Sequence, residues 1–423
     1  MKKFLVRGGR ELYGDVHISG MKNAALPIIF ASILTRGRNI IYNLPRVSDI
    51  ELSLDILTSL GAKVERLGDG GVVIDTASLR DESAPFEFVS KMRGSTYLIG
   101  AMLARFGSAK VGLPGGCDFG HRPLDQHFKG FVTLGAKVSY AQSGTVTVDA
   151  PDGLVGNSIY LDIASVGATV NLIIGSIFVK GMTVIMNAAR EPHIVDLANF
   201  LNKCGADVRG AGTNVVRIYG VGELHPCRYT ISPDMIEAGT FMALAAATGG
   251  DVTVHDIIPE HLDAITAKLR ETGVGVEIYD DRIRVVSDKN LRAINNIKTW
   301  TYPGFATDMH PQFSAMLCFA NGISVVNEAI WDGRFKYIDE LQKMGATIDI
   351  TGNTARIMGG GEMMHGASVS ATDLRAGAAL VIAALAAKGE SVIGGVEYIN
   401  RGYYDFVGKL RALGADITLI DEA

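Results

Sequence analysis

Leu60-Gly61-Ala62, Leu134-Gly135-Ala136, Cys204-Gly205-Ala206, Thr272-Gly273-Val274, Met344-Gly345-Ala346 and Leu413-Gly414-Ala415 are one signal met six times. Successive glycines lie 74, 70, 68, 72 and 69 residues apart. A second mark keeps the same phase, with apolar stretches that stop at Gly37, Gly107, Gly181, Gly249, Gly322 and Gly389. Self-similarity at a fixed spacing decides architecture before any local reading does. Each glycine in the first set follows an amphipathic pattern. Ile194, Leu197 and Leu201 recur at helical spacing before Gly205, as do Phe406, Leu410 and Leu413 before Gly414. A glycine after the last turn takes the left-handed conformation that other residues resist. Short strands follow, such as Lys63-Val64-Glu65 and Asp416-Ile417-Thr418.

The other helix of each repeat is apolar nearly all round and rich in small residues. It is expected over Asn23–Leu34, Gly94–Ala104, Gly167–Val179, Ala238–Ala247, Gln312–Ala320 and Ala376–Ala387. A helix hydrophobic on every side is buried on every side. The longest apolar runs, such as Ala168–Val179 and Ala376–Ala387, have 12 residues, short of the roughly 20 needed to span a bilayer. They must therefore sit inside domains, with sheets and amphipathic helices outside. The expected class is α/β, with three repeats of about 70 residues in each of two domains, since 423 residues exceed one ordinary core.

Composition narrows function. Hydrophobic residues make up 48% and charged residues 20%, as in a soluble globular protein. A net charge of −5 and the lack of a basic run give nucleic acid no purchase. Four scattered cysteines fit a reducing compartment, and Met-Lys-Lys-Phe-Leu-Val-Arg is too short in apolar residues for a signal peptide. The reading is a cytoplasmic protein that binds no membrane.

Polar residues that break the repeat mark candidate sites. The buried helices open on Lys22-Asn23, Arg93, Ser165, Asp308, and Asp373 with Arg375. A helix N-terminus attracts anions, and Lys22 and Arg93 would add to that field; simple capping explains such residues equally well, Asp308 included. Arg46, Arg122, Arg190, Arg334 and Arg401 each precede their own glycine by 11 to 15 residues. One arginine per loop can be a packing feature. If the repeats surround an axis, however, the loops converge, and several guanidinium forks meeting in a cleft suit a ligand with several negative charges.

The stretch Leu113-Pro-Gly-Gly-Cys117-Asp-Phe-Gly-His-Arg122-Pro-Leu-Asp-Gln-His127 has no counterpart in the other repeats. Its proline and glycines predict a mobile loop carrying a thiol. Arg122, His121 and His127 would lower the Cys117 pKa and make it an acid or nucleophile, with Asp118 opposing them. The alternative is an idle surface cysteine. Cys117, His121 and His127 do not have the spacing of a usual zinc site, and no metal is expected. Cys204 and Cys318 are expected in the core. No phosphate-binding Gly-Lys loop and no dinucleotide fingerprint occurs, and no cofactor is expected.

The motifs Lys22-Asn23-Ala-Ala-Leu-Pro, Pro-Gly-Gly-Cys117 running to Arg122-Pro123, Asn187-Ala-Ala-Arg190-Glu-Pro, Thr307-Asp308-Met, Ala371-Thr-Asp373-Leu-Arg375-Ala and Arg401-Gly402-Tyr403 cover essentially the whole chain. Together they resemble the enolpyruvyl transferases, in particular those acting on UDP-N-acetylglucosamine. The resemblance implies two inside-out α/β domains, residues 22–229 and residues 1–21 plus 230–423. It implies transfer of enolpyruvate from phosphoenolpyruvate to the sugar 3'-hydroxyl with release of phosphate, the first committed step of peptidoglycan synthesis. It implies Cys117 as proton donor and adduct-forming residue, and Asp308 as base. Lys22 and Arg122 would hold phosphate, with Arg93 nearby, and Arg334 and Arg401 the carboxylate, beside Asn23 and Arg375. Arg122, Pro123, Leu124, Asp125, Gln126, Ile163, Ala164, Ser165, Val166, Asp308 and Ile330 would line the nucleotide-sugar site. His193, Ile163, Asp118 and His121 depart from the common family pattern. Rival readings are the sister transferase acting on shikimate 3-phosphate, which the cysteine loop disfavours, and a non-catalytic nucleotide-sugar sensor.

Overall fold

In the computed structural model, which describes residues 2–80, 84, 86–112, 124–141 and 144–421, all six marker glycines are left-handed, with φ between 88° and 103°. They end the helices Ser48–Ser59, Asp125–Thr133, Pro192–Lys203, Asp263–Glu271, Ile338–Lys343 and Phe406–Ala412. The residue after the glycine reaches back as well: Ala62 N–H donates to the Leu57 carbonyl and Ala415 N–H to that of Leu410, each at 3.0 Å. This satisfies carbonyls that a helix end leaves orphaned. In the second set of marks Gly107, Gly181, Gly249, Gly322 and Gly389 are also left-handed. In the first repeat the turn comes one residue before Gly37, at Arg36, with φ 51°.

These positions give a graded test. Gly414 has open space where a Cβ would sit, whereas a Cβ at Gly345 would lie 2.1 Å from the Met363 carbonyl oxygen. Gly414→Ala is expected to cost about 1–2 kcal/mol, the left-handed penalty alone. Gly345→Ala should cost about 1–3 kcal/mol more, because backbone must move. Urea unfolding of both variants checks this, and equal losses would contradict it.

The apolar helices are Lys22–Ala31, Tyr97–Phe106, Val166–Gly175, Met235–Thr248, His310–Leu317 and Leu374–Ala386. Every residue from Ile236 to Thr248 and from Leu374 to Leu385 is buried. Small residues permit close approach: a Cβ on Gly100 would lie 2.4 Å from the Asn171 carbonyl oxygen. No helix of the described residues is long and apolar enough to cross a membrane.

One repeat shows the plan. Strand Ser158–Tyr160 leads into Val166–Gly175, then strand Met182–Met186, helix Pro192–Lys203, and strands Asp207–Arg209 and Val215–Tyr219. The two strands flanking the buried helix pair in parallel, with Val184 opposite Ser158, and the others are antiparallel. A parallel pair needs such a helical crossover.

The chain forms two compact units, residues 20–112 with 124–232 and residues 2–19 with 233–421. Each holds three sheets. Three sheets are completed by strands distant in sequence. Arg228–Thr230 pairs in parallel with Arg38–Tyr42, and Leu12–His17 with Gly250–His255. Lys2–Gly8 lies between Gly389–Gly394 and Asp416–Asp421.

One charge sits inside the second unit's core. Glu237, on the fully buried helix Met235–Thr248, accepts hydrogen bonds from Lys409 Nζ at 2.7 Å and from Ser19 N–H at 2.8 Å. Burial raises the Glu237 pKa and the Lys409 ammonium opposes that rise. Buried carboxylates persist when paired and hydrogen-bonded in this way.

Candidate functional site

In the unit of residues 20–232, Lys22 opens its helix and its Nζ lies 3.0 Å from the Asp49 carboxylate, both side chains being largely buried. Arg93 stands at the start of the turn Arg93–Thr96 that leads into Tyr97–Phe106. Burial lowers its pKa. Gln126 is buried and links two segments. Its Nε2 donates to Asp125 and Asp162 carboxylates at 2.8 and 3.1 Å, and its Oε1 accepts from Asp162 N–H at 2.9 Å. Leu124, Asp125 and Gln126 are thereby fastened to the loop carrying Ile163, Ala164, Ser165 and Val166. Ser165 caps the following helix by accepting from Ala168 N–H, and Ile163 is exposed.

In the unit of residues 233–421, Asp308 lies in the turn Thr307–Met309 before His310–Leu317. Its carboxylate is gripped from two sides: Arg334 Nη2 lies 2.7 Å from Oδ1, and Arg375 Nε and Nη2 lie 3.3 Å from Oδ2. Both arginine side chains are almost fully buried, at 3% and 4% exposure, whereas that of Asp308 is 30% exposed. The carboxylate is thus the group that faces outward. Arg334 also donates to Thr307 Oγ1 at 2.6 Å, and Arg375 stacks over the Tyr403 ring at 5.4 Å. Arg375 Nη1 is buried and donates to no acceptor among the described residues. Arg401 follows the short helix Val396–Ile399 and is half-buried.

Glu328 organises this turn from beneath. Its Oε2 accepts from Thr307 Oγ1 at 2.7 Å, and its Oε1 accepts from Thr299 Oγ1 at 3.0 Å and from the N–H groups of Ile330 and Trp331 at 2.7 and 2.9 Å. One buried carboxylate therefore sets both Ile330 and the hydroxyl that meets Arg334.

The chain matches the family model of EPSP synthase (3-phosphoshikimate 1-carboxyvinyltransferase) over residues 6–410. It belongs to that family. UDP-N-acetylglucosamine 1-carboxyvinyltransferase 2 of Clostridium acetobutylicum is 52% identical over 99% of both chains, and UDP-N-acetylglucosamine 1-carboxyvinyltransferase 3 of Caldanaerobacter subterraneus is 49% identical over all of both. The enolpyruvyl transferase NikO of Streptomyces tendae superposes with a TM-score of 0.91 over 100% of this chain and 99% of its own, at 24% identity, and so shows the shared fold. The α/β class expected from the repeats, and the enolpyruvyl transferase fold that the resemblance implied, are therefore the fold of this EPSP synthase family member.

Several expected roles change in this family member. Asp308 does not cap its helix; the cap position of His310–Leu317 is Met309, and the Asp308 carboxylate turns to the two arginines instead. Asp373 is a true cap, accepting from the N–H groups of Arg375 and Ala376. His127 cannot supply a positive charge to a neighbouring thiol. Burial and then the Arg93 charge push its pKa down to about 3, and its Nδ1 bonds Asn171 Nδ2 at 2.8 Å. Arg46 and Arg190 are exposed, unlike their repeat-mate Arg334. Cys117, Asp118, His121, Arg122 and Pro123 lie outside the described residues. Glu328 and the helix cap Asp234 were not expected from sequence. A lone acid beside an apolar run was the only signal either offered.

Proposed function

We propose that this protein transfers the enolpyruvyl group of phosphoenolpyruvate to the 3'-hydroxyl of UDP-N-acetylglucosamine and releases phosphate, in the cytoplasm, as the first committed step of peptidoglycan synthesis. The observation that carries the reading is the Asp308 carboxylate, outward-facing and held by two buried guanidiniums. Support comes from two full-length relatives, UDP-N-acetylglucosamine 1-carboxyvinyltransferases at 52% and 49% identity. A base that removes a hydroxyl proton must be reachable, and here it is the exposed member of the cluster. Arg375 Nη1 is a buried donor with no acceptor among the described residues, which suits an arriving anion.

The sugar hydroxyl oxygen bonds to the central carbon of phosphoenolpyruvate while Asp308 takes its proton. Cys117 gives a proton to the methylene carbon, and a tetrahedral intermediate results. The thiolate left on Cys117 then takes a proton back from the new methyl group, the double bond is restored, the C–O bond to the phosphate breaks, and phosphate departs. Lys22 and Arg122, with Arg93, hold the phosphate, and Arg334 and Arg401 the carboxylate. Fixed cations of this kind act more strongly where water is excluded. Asn23, Leu124, Asp125, Gln126, Ile163, Ala164, Ser165, Val166 and Ile330 are assigned to the nucleotide sugar.

The test is phosphate release from phosphoenolpyruvate with each acceptor in turn. Release with UDP-N-acetylglucosamine and not with shikimate 3-phosphate is expected. The reverse would assign the sister activity, that of a 3-phosphoshikimate 1-carboxyvinyltransferase. Release with neither would leave a binding protein and sink the enzymatic reading.

A further inference from the structure

Cys204 and Cys227 take no part in the chemistry above. Cys204 is buried at the end of helix Pro192–Lys203, and Cys227 is half-buried just before strand Arg228–Thr230. Their thiols touch: Cys204 Sγ donates to Cys227 Sγ at 3.3 Å. A disulfide bond is about 2.05 Å long, so the sulfurs need to close by little more than an ångström. Both backbones are held in place. Cys204 N–H donates to the carbonyls of Phe200 and Leu201, Cys227 N–H donates to Asn39 Oδ1 at 3.1 Å, and the Cys227 carbonyl accepts from Ile40 N–H at 3.0 Å.

The two thiols are unequal. The Cys204 hydrogen bond lowers the Cys227 pKa, burial opposing and the Lys203 charge assisting. The same contact, with burial, pushes the Cys204 thiol up. The thiol that ionises more readily is therefore the one within reach of solvent, and the reluctant one lies behind it. Oxidation-sensitive cysteines share that pattern: an accessible thiolate next to a resolving partner.

We propose that Cys204 and Cys227 form an oxidation site for hydroperoxides that closes reversibly to a disulfide. The Cys227 thiolate attacks a peroxide oxygen, the O–O bond breaks, and the departing oxygen leaves as an alcohol, or as water from hydrogen peroxide. Cys227 is then a sulfenic acid. Cys204 sulfur attacks the Cys227 sulfur, the S–O bond breaks, and the released hydroxide takes the Cys204 proton and leaves as water. Two thiols and one peroxide yield one disulfide, one alcohol or water, and one further water. A dithiol reductant reverses the change. The bond would tie the end of helix Pro192–Lys203 to the strand that completes the sheet of Arg38–Tyr42. It would close a span of 23 residues, for which the melting temperature should rise on the order of 5–10 °C.

The experiment exposes the full chain to hydrogen peroxide at equimolar and tenfold levels, alkylates remaining thiols, and maps the digest. A linked peptide joining Cys204 to Cys227, the loss of two hydrogens in intact mass, reversal by dithiothreitol and the higher melting temperature are expected. Cys204→Ser should leave a sulfenic acid on Cys227 that dimedone traps, and Cys227→Ser should abolish both the link and the trapping at this site. Cys227 still fully alkylated after tenfold peroxide would overturn the proposal. So would links that join Cys227 to a cysteine other than Cys204.

Discussion

Asp308→Asn is expected to lower kcat by about 10²–10⁴-fold, the range spanned by a positioned general base. The amide keeps the shape of the carboxylate and can still accept one hydrogen bond from Arg334, now 2.7 Å from Oδ1. It cannot take the hydroxyl proton at neutral pH. The two substrates should respond differently. In the present geometry Asp308 occupies donors of both Arg334 and Arg375, and so competes with any anion that needs them. Removing its charge should leave KM for phosphoenolpyruvate unchanged or lower while kcat collapses. That split separates a lost base from a lost binding residue, since a binding residue raises KM. Steady-state phosphate release with each substrate varied in turn measures it. A kcat within about tenfold of the parent would remove Asp308 from the base role, and a large rise in KM alone would recast it as a binding residue.

Lys409→Met is expected to destabilise the fold by about 3–5 kcal/mol at neutral pH, the usual loss when one partner of a buried ion pair is removed. Glu237 would keep the Ser19 N–H bond but lose its cation. The pH dependence follows from the direction of the Glu237 shift. Burial raises its folded pKa, and Lys409 holds that rise back. Without the ammonium the folded pKa climbs further, so the folded state binds the proton more tightly than the unfolded chain, where a glutamate titrates near about 4.3. The penalty is absent below the unfolded pKa and grows as pH rises towards the folded one. The deficit against the parent should therefore be small near pH 4.5 and large at pH 8. Denaturant titrations at both pH values check this. A deficit independent of pH would contradict it, as would failure of Glu237→Gln to restore stability to the Lys409→Met chain.

The repeat was legible because its marks are local. A glycine after an amphipathic turn answers to backbone sterics at a single residue, and at Gly61, Gly135, Gly205, Gly273, Gly345 and Gly414 nothing distant overrides them. The fully apolar helices were legible for the same reason. The site was read one residue at a time. Asp308 and Arg375 broke the repeat and Arg334 kept its phase, but their contact joins positions 26 and 67 residues apart, and periodicity says nothing about side-chain pairing. Burial hid the rest. His127 reads as a cation in sequence and is held neutral by desolvation. Glu237 stands just before the apolar run Ala238–Ala247 and is deep in the core. Cys204 was expected in the core, yet its partner Cys227 lies 23 residues on, outside the phase of the repeat, and no spacing rule couples them.

The strands that complete distant sheets also govern how the chain is made. The three sheets of residues 20–232 draw every described strand from within that stretch. The strands Lys2–Gly8 and Leu12–His17 leave the ribosome first, yet their partners are Gly250–His255, Gly389–Gly394 and Asp416–Asp421. At the usual pace of synthesis, His17 waits on the order of 10–50 s for Gly250, and Lys2 waits longer for Asp421. During that interval an entire unit can close around itself while the two opening strands, which belong to different sheets and do not pair with each other, trail with their edges bare, available to a chaperone or to a neighbouring nascent chain. Translation speed through residues 233–421 thus becomes a determinant of yield, because the last strand synthesised is the one that seats the first.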